Sequence, residues 1–158
     1  MTIVINGVAL SARTVSYLET ALWSSSVMLP CCEDDLDDDG CMDCPEGEVL
    51  HGVADGAPLD DHFGIEDCDP QLLRDAESDC NDFWEHLEDV DLLEGAYRYA
   101  DDARIAHDFW LTRNGHGAGF WDGDYDGADG HFGLALTDAA KTWGGLDIYI
   151  GDDNRLHS

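Results

Sequence analysis

Apolar and turn-forming residues alternate at the start of the chain. Ile3-Val4-Ile5-Asn6-Gly7-Val8-Ala9-Leu10 reads as two short strands around an Asn-Gly turn, a strong hairpin signal. Ser11 can cap a helix expected from about Ala12 to Ser25, in which Val15, Leu18, Leu22 and Trp23 recur at helical spacing. Asp69-Pro70 opens the clearest helix, with Asp69 as N-cap and Pro70 in the first turn. Its apolar stripe is Leu73, Ala76, Cys80, Phe83, Leu87 and Val90. A third helix is expected from about Glu94 to Leu111, with Tyr97, Ala100, Ile105, Phe109 and Trp110 as core candidates. A short strand at Gly119-Phe120-Trp121 and a helix from Thr137 to Trp143 follow, with Thr137 as cap and Gly144-Gly145 as stop. Leu146 to Ile150 alternates as a strand, turns at Gly151-Asp152-Asp153-Asn154 and continues near Leu156. The pattern predicts one α+β domain over residues 1–158. Its small antiparallel sheet would come from the N-terminal hairpin and the C-terminal strands, packed with three to four helices. Residues 27–68 follow neither period and read as a long acidic, Cys-containing insertion.

Charge changes this picture most. Thirty-six acidic residues face seven basic ones among 158, a formal net charge of −29. Self-repulsion on this scale opposes a compact fold and persists where something uses it. Duplex DNA carries one charge per ~1.7 Å, so this charge matches roughly 49 Å, or about 14 base pairs, of helix. A compact chain of this length is roughly 40 Å across. Duplex-like charge would therefore sit on a duplex-sized body. That composition excludes nucleic acid as a ligand and favours a basic, DNA-binding protein as partner. Salt adaptation is the competing explanation, since Lys141 is the single lysine. It accounts poorly for the unevenness of the charge. No Lys or Arg stands between Arg13 and Arg74, and that gap holds the run Glu33-Asp34-Asp35-Leu36-Asp37-Asp38-Asp39. Asp75, Asp79, Asp82 and Asp89 form a second, helical row. Fifteen aromatic residues supply a core, which argues against disorder throughout. No apolar run is long enough to span a membrane, and the N-terminus lacks a charged, apolar signal segment. The expected location is the cytoplasm, where cysteines serve as thiols or metal ligands.

Several groupings could carry chemistry. Cys31 or Cys32 with Cys41, Cys44 and His51 could hold a structural zinc, with a disulfide or free thiols as the alternatives. No cofactor is otherwise required. Asp122-Gly123-Asp124-Tyr125-Asp126-Gly127 begins like a calcium loop, but Gly133 stands where a bidentate Glu belongs. His107-Asp108 with His116 would be the nucleus of a metal-dependent hydrolase, yet no further ligands follow at helical spacing. Gly115-His116-Gly117-Ala118-Gly119 lacks the strand, helix and lysine of a phosphate cradle. Catalysis is therefore not expected.

The stretch Ala106-His107-Asp108-Phe109-Trp110-Leu111-Thr112-Arg113-Asn114-Gly115-His116-Gly117-Ala118-Gly119-Phe120-Trp121-Asp122-Gly123-Asp124-Tyr125 resembles a family of small uncharacterised proteins encoded by bacteriophages and mobile elements. The resemblance continues at Leu136 to Lys141 and Ile148 to Asp153, and more loosely at Asn6-Gly7 and Tyr17 to Trp23. Residues 31–51 depart from it. The resemblance implies a phage context and brings no catalytic residues. It also implies that Phe109, Trp110, Phe120 and Trp121 fill the core, with Gly117 and Gly119 at tight turns. Charge and resemblance together lead to a non-enzymatic DNA mimic, similar in principle to acidic anti-restriction and anti-CRISPR proteins. The expected contact residues are Asp75, Asp79, Asp82 and Asp89, then Asp34, Asp35, Asp37, Asp38 and Asp39, with Trp84 as an anchor. The alternative is a zinc-stapled protein–protein adaptor. A homodimer is compatible with both.

Overall fold

The computed structural model describes residues 2–27, 56–126 and 131–158. The N-terminal hairpin pairs β1 (Thr2–Ile5) with β2 (Val8–Ser11), Ile5 opposite Val8. Its two-residue turn places Asn6 and Gly7 at φ of 50° and 79°, the left-handed pair that matches strand twist. Ser11 then caps α1 (Ala12–Ser24), its hydroxyl accepting from Thr14 N. Two short 3₁₀ turns, Leu59–Asp61 and Ile65–Asp67, lead into α2 (Pro70–Asp89), which Asp69 caps through Gln71 N. α3 (Leu93–Ala96), α4 (Asp102–Arg113) and α5 (Phe132–Lys141) follow, then β3 (Tyr149–Ile150) and β4 (Leu156–His157). The fold is α+β. The strands form two separate antiparallel pairs, β1–β2 and β3–β4. Residues 66–69 connect them. Asn6 Nδ2 donates to Glu66 O and Cys68 O, and Asp69 N donates to Leu156 O.

The core sits between α1, α2 and α4. Phe83 and Phe109 stack at 3.9 Å, with Trp143 edge-on to both. Tyr17 and Trp110 meet edge to face, and Trp110 Nε1 donates to Ser24 Oγ at 2.8 Å. Ser11 N and Oγ both donate to Glu77 Oε2, tying the cap of α1 to α2.

The structure changes several boundaries. The expected third helix is two, because Asp101 caps α4 through Arg104 N and ends the run. Tyr97 is exposed rather than core. Gly119 to Trp121 is a turn and not a strand; Phe120 is buried while Trp121 is 48% exposed. Gly119, at φ +145°, sits where a Cβ would strike the Thr112 hydroxyl, whereas Gly117 has open space and an ordinary φ. α5 begins at Phe132, so Thr137 lies inside it and its hydroxyl donates to Gly133 O. Val90 is the exposed C-cap of α2 and not part of its buried stripe. The expected insertion ends sooner than position 68. Leu59, Phe63, Ile65 and Cys68 are buried, and Val27 N donates to Ala57 O while Gly56 N donates to Val27 O.

A Cβ at Gly133 would land on the carbonyl of Phe120, so Gly133→Ala should destabilise by about 1–3 kcal/mol in thermal denaturation. Cys68 and Cys80 are fully buried, and burial pushes both thiols up to about 12. Iodoacetamide at pH 8 should leave both unmodified in native protein and label both after denaturation, as read by peptide mass spectrometry.

Candidate functional site

α2 carries the charge that the fold leaves outward. Its buried stripe of Leu72, Leu73, Ala76, Cys80, Phe83, Trp84 and Leu87 fixes the helix against the core. Asp75, Asp82, Glu85, Glu88 and Asp89 therefore face solvent. Two of these carboxylates are held along the helix. Gln71 Nε2 donates to Asp75 Oδ1 at 2.7 Å, and Ser78 Oγ donates to Asp82 Oδ2 at 3.4 Å. Asp75, Asp82 and Asp89 are seven residues apart, so the row rises by ~10.5 Å per step.

Asp79 does not belong to this free row. Its Oδ2 pairs with Arg113 Nη1 at 2.5 Å, and the Arg113 side chain is 4% exposed. The same guanidinium donates to Tyr17 Oη (2.6 Å), Gly144 O (2.8 Å) and Trp143 O (3.2 Å). A carboxylate at the edge of the helix face has become a structural ion pair.

Trp84 is not an exposed anchor either. It is 5% exposed, with Nε1 donating to Tyr97 Oη at 3.1 Å and Asp102 Oδ1 at 3.2 Å. The Arg13 guanidinium covers its ring at 4.8 Å. Asp34, Asp35, Asp37, Asp38 and Asp39 lie outside the described residues, as do Cys31, Cys41, Cys44 and His51.

Most of the scarce cations have partners, at the surface or within the fold. Arg104 Nε pairs with the buried Asp108 at 2.9 Å and its Nη2 with Asp124 at 2.7 Å. Arg113 is buried, Arg13 stacks on Trp84, Arg98 reaches Glu94 at 3.7 Å, and Arg155 donates to Cys68 O. Arg74, exposed on α2 next to Asp75, donates to Gln71 Oε1, and Lys141 is also exposed.

Asp108 is the most enclosed acid described. Oδ2 accepts from Arg104 Nε and Tyr125 Oη (2.8 Å), and Oδ1 lies 2.8 Å from His107 Nδ1. Burial, then the neighbouring Asp108, pushes the Tyr125 phenol well above its ordinary range. Three side chains, two from α4 and one from the turn at Tyr125, thus converge on Asp108. Trp23, 47% exposed, stacks on His107 at 5.9 Å. The calcium-like loop is likewise divided: Asp122 accepts from Gly119 N and Asp124 N, Asp124 pairs with Arg104, and Asp126 accepts from Gly133 N.

A shallow groove of about 520 Å³ runs along Tyr97 to Asp102, with the Tyr97 hydroxyl donating to Asp102 Oδ1 at 2.7 Å. Among the described residues, the one group of three metal-ligating side chains is Asp69, Asp153 and His157, whose ligand atoms lie within 4.8 Å of one another. Asp69 stands far from the other two along the chain, so no sequence spacing joins the three. No described helix is long and apolar enough to cross a membrane. No family model matches the chain, and comparison with curated proteins and with solved structures finds no significant match.

Proposed function

We propose that this protein is a phage-encoded, non-enzymatic inhibitor that occupies the DNA channel of a host defence nuclease or another host DNA-binding enzyme. The observation that carries the reading is the row Asp75, Asp82 and Asp89 on a helix anchored in the core. The three carboxylates lie on one face of the helix, spaced ~10.5 Å along its axis. Fixed carboxylates can enter a groove built for phosphates with less ordering cost than mobile ones. Arg113 is withdrawn into a buried pair and the part-exposed Arg104 is held by Asp108 and Asp124, so neither pairs with the row or cancels its negative field. That field would steer association and make it fast and salt-sensitive.

Exposed Trp23 and Trp121 favour a second reading, an adaptor that grips its partner through apolar contacts. Salt separates the two, since charge contacts are screened within ~10 Å at 0.1 M while apolar contacts are not. The protein, immobilised and exposed to host lysate, should retain DNA-binding proteins that short duplex DNA displaces. Their binding should weaken steeply between 50 and 200 mM salt. Captured proteins that ignore competing DNA, or binding indifferent to salt, would overturn the mimic.

A further inference from the structure

We propose that Asp69, Asp153 and His157 bind a zinc ion that fastens the C-terminal hairpin to the start of α2. The three donors come from two segments already joined by the bond from Asp69 N to Leu156 O. Their ligand atoms all lie within 4.8 Å of one another, and His157 Nε2 is 2.9 Å from Asp153 Oδ1. Bonds of ~2.0–2.2 Å to one zinc place ligand pairs roughly 3–4 Å apart, so small side-chain movements suffice. The metal would take the place of the proton between His157 Nε2 and Asp153.

The neighbours leave coordinating oxygens available. Asp69 Oδ1 accepts from Gln71 N, which orients that carboxylate and leaves Oδ2. Asp153 Oδ1 also accepts from Arg155 N at 3.1 Å, which leaves its own Oδ2, while the Arg155 guanidinium is turned to Cys68 O. Other neighbours also seat the imidazole. Tyr149 stacks on it at 5.8 Å, and Gly151 gives it room, since a Cβ there would come within 2.6 Å of His157 Cδ2. Two carboxylates and a neutral imidazole balance a divalent charge. The imidazole selects zinc-like ions over magnesium, which prefers all-oxygen sites. The partial positive end of α2 opposes a cation at Asp69, but the net charge of −29 favours one.

Zinc titration of metal-free protein, followed by NMR and calorimetry, tests the site. Zinc should shift the His157 imidazole and Gly151 amide signals to a saturating limit. The melting temperature should rise by about 5–10 °C at a hundredfold excess over Kd, and magnesium at the same concentration should do neither. His157→Gln and the shape-conserving Asp153→Asn should each bind one zinc fewer than wild type. Zinc held elsewhere counts equally in all three proteins. Equal zinc uptake by wild type and both variants, or the same signal shifts with magnesium, would overturn the proposal.

Discussion

Replacing Arg113 by methionine is expected to destabilise the protein by about 3–5 kcal/mol, the usual cost of removing one member of a buried ion pair. At ~2–4 °C per kcal/mol for a chain of this size, the melting temperature should fall by roughly 6–20 °C. The guanidinium joins α4 to α1, α2 and the segment after α5. It pairs with Asp79 of α2, donates to Tyr17 Oη of α1, and donates to the carbonyls of Trp143 and Gly144 beyond α5. Methionine roughly fills the space but leaves a carboxylate, a phenol and two carbonyls without their donor. Desolvation by burial already pushes the Tyr17 hydroxyl far above its ordinary range, against the lowering effect of Arg113, so that group cannot adapt by ionising. The double variant Arg113→Met/Asp79→Leu should recover a large part of the loss, because an apolar pair replaces an orphaned charge. Urea denaturation of the two proteins measures both values. A loss below about 1 kcal/mol for Arg113→Met would mean that the buried pair does not hold the helices together.

Much of this fold is legible because strong local signals agree with tertiary packing. Asn6-Gly7, Ser11 and Asp69-Pro70 set their turn and caps without help from distant residues, and the structure keeps all three. The errors fall where a distant partner overrides the local pattern. Residues 97–101 are compatible with helix, but Asp101 caps α4, and Tyr97 leaves the core to donate to Asp102 beside Trp84. Phe120 alternates like a strand residue, yet its N–H goes to the Thr112 hydroxyl and its carbonyl lies against Gly133. Trp84 was readable. It stands four residues after Cys80 and three before Leu87, neighbours on the buried face, and an aromatic there belongs to the core. Asp79 was not readable, because nothing local shows that Arg113, on another helix, turns inward to meet it. Within the candidate site, periodicity thus identified the exposed acids and missed the one committed to the interior.

The triple reversal Asp75→Lys/Asp82→Lys/Asp89→Lys should weaken binding to a partner that duplex DNA displaces by on the order of 100-fold at low salt, and by much less at high salt. One exposed charge contact contributes about 0.2–1 kcal/mol. Single changes to Asn should therefore be hard to detect, while three reversals remove three attractions and add three repulsions. The fold should survive, because all three residues face solvent and neither end of α2 depends on them. Relief of like-charge repulsion should even help the helix slightly. Bulk charge and positioned charge then have to be separated. Asp60, Asp61 and Asp147 are also exposed but lie off α2, and reversing these three gives the same formal charge. If the row is what enters a phosphate-shaped groove, the α2 variant should lose at least ten times more affinity than this control at equal ionic strength. Equal losses would reduce the helix to one part of a uniform negative coat and remove its spacing from the mechanism. Unchanged binding by both variants would instead place the contact on apolar surface such as Trp23 or Trp121.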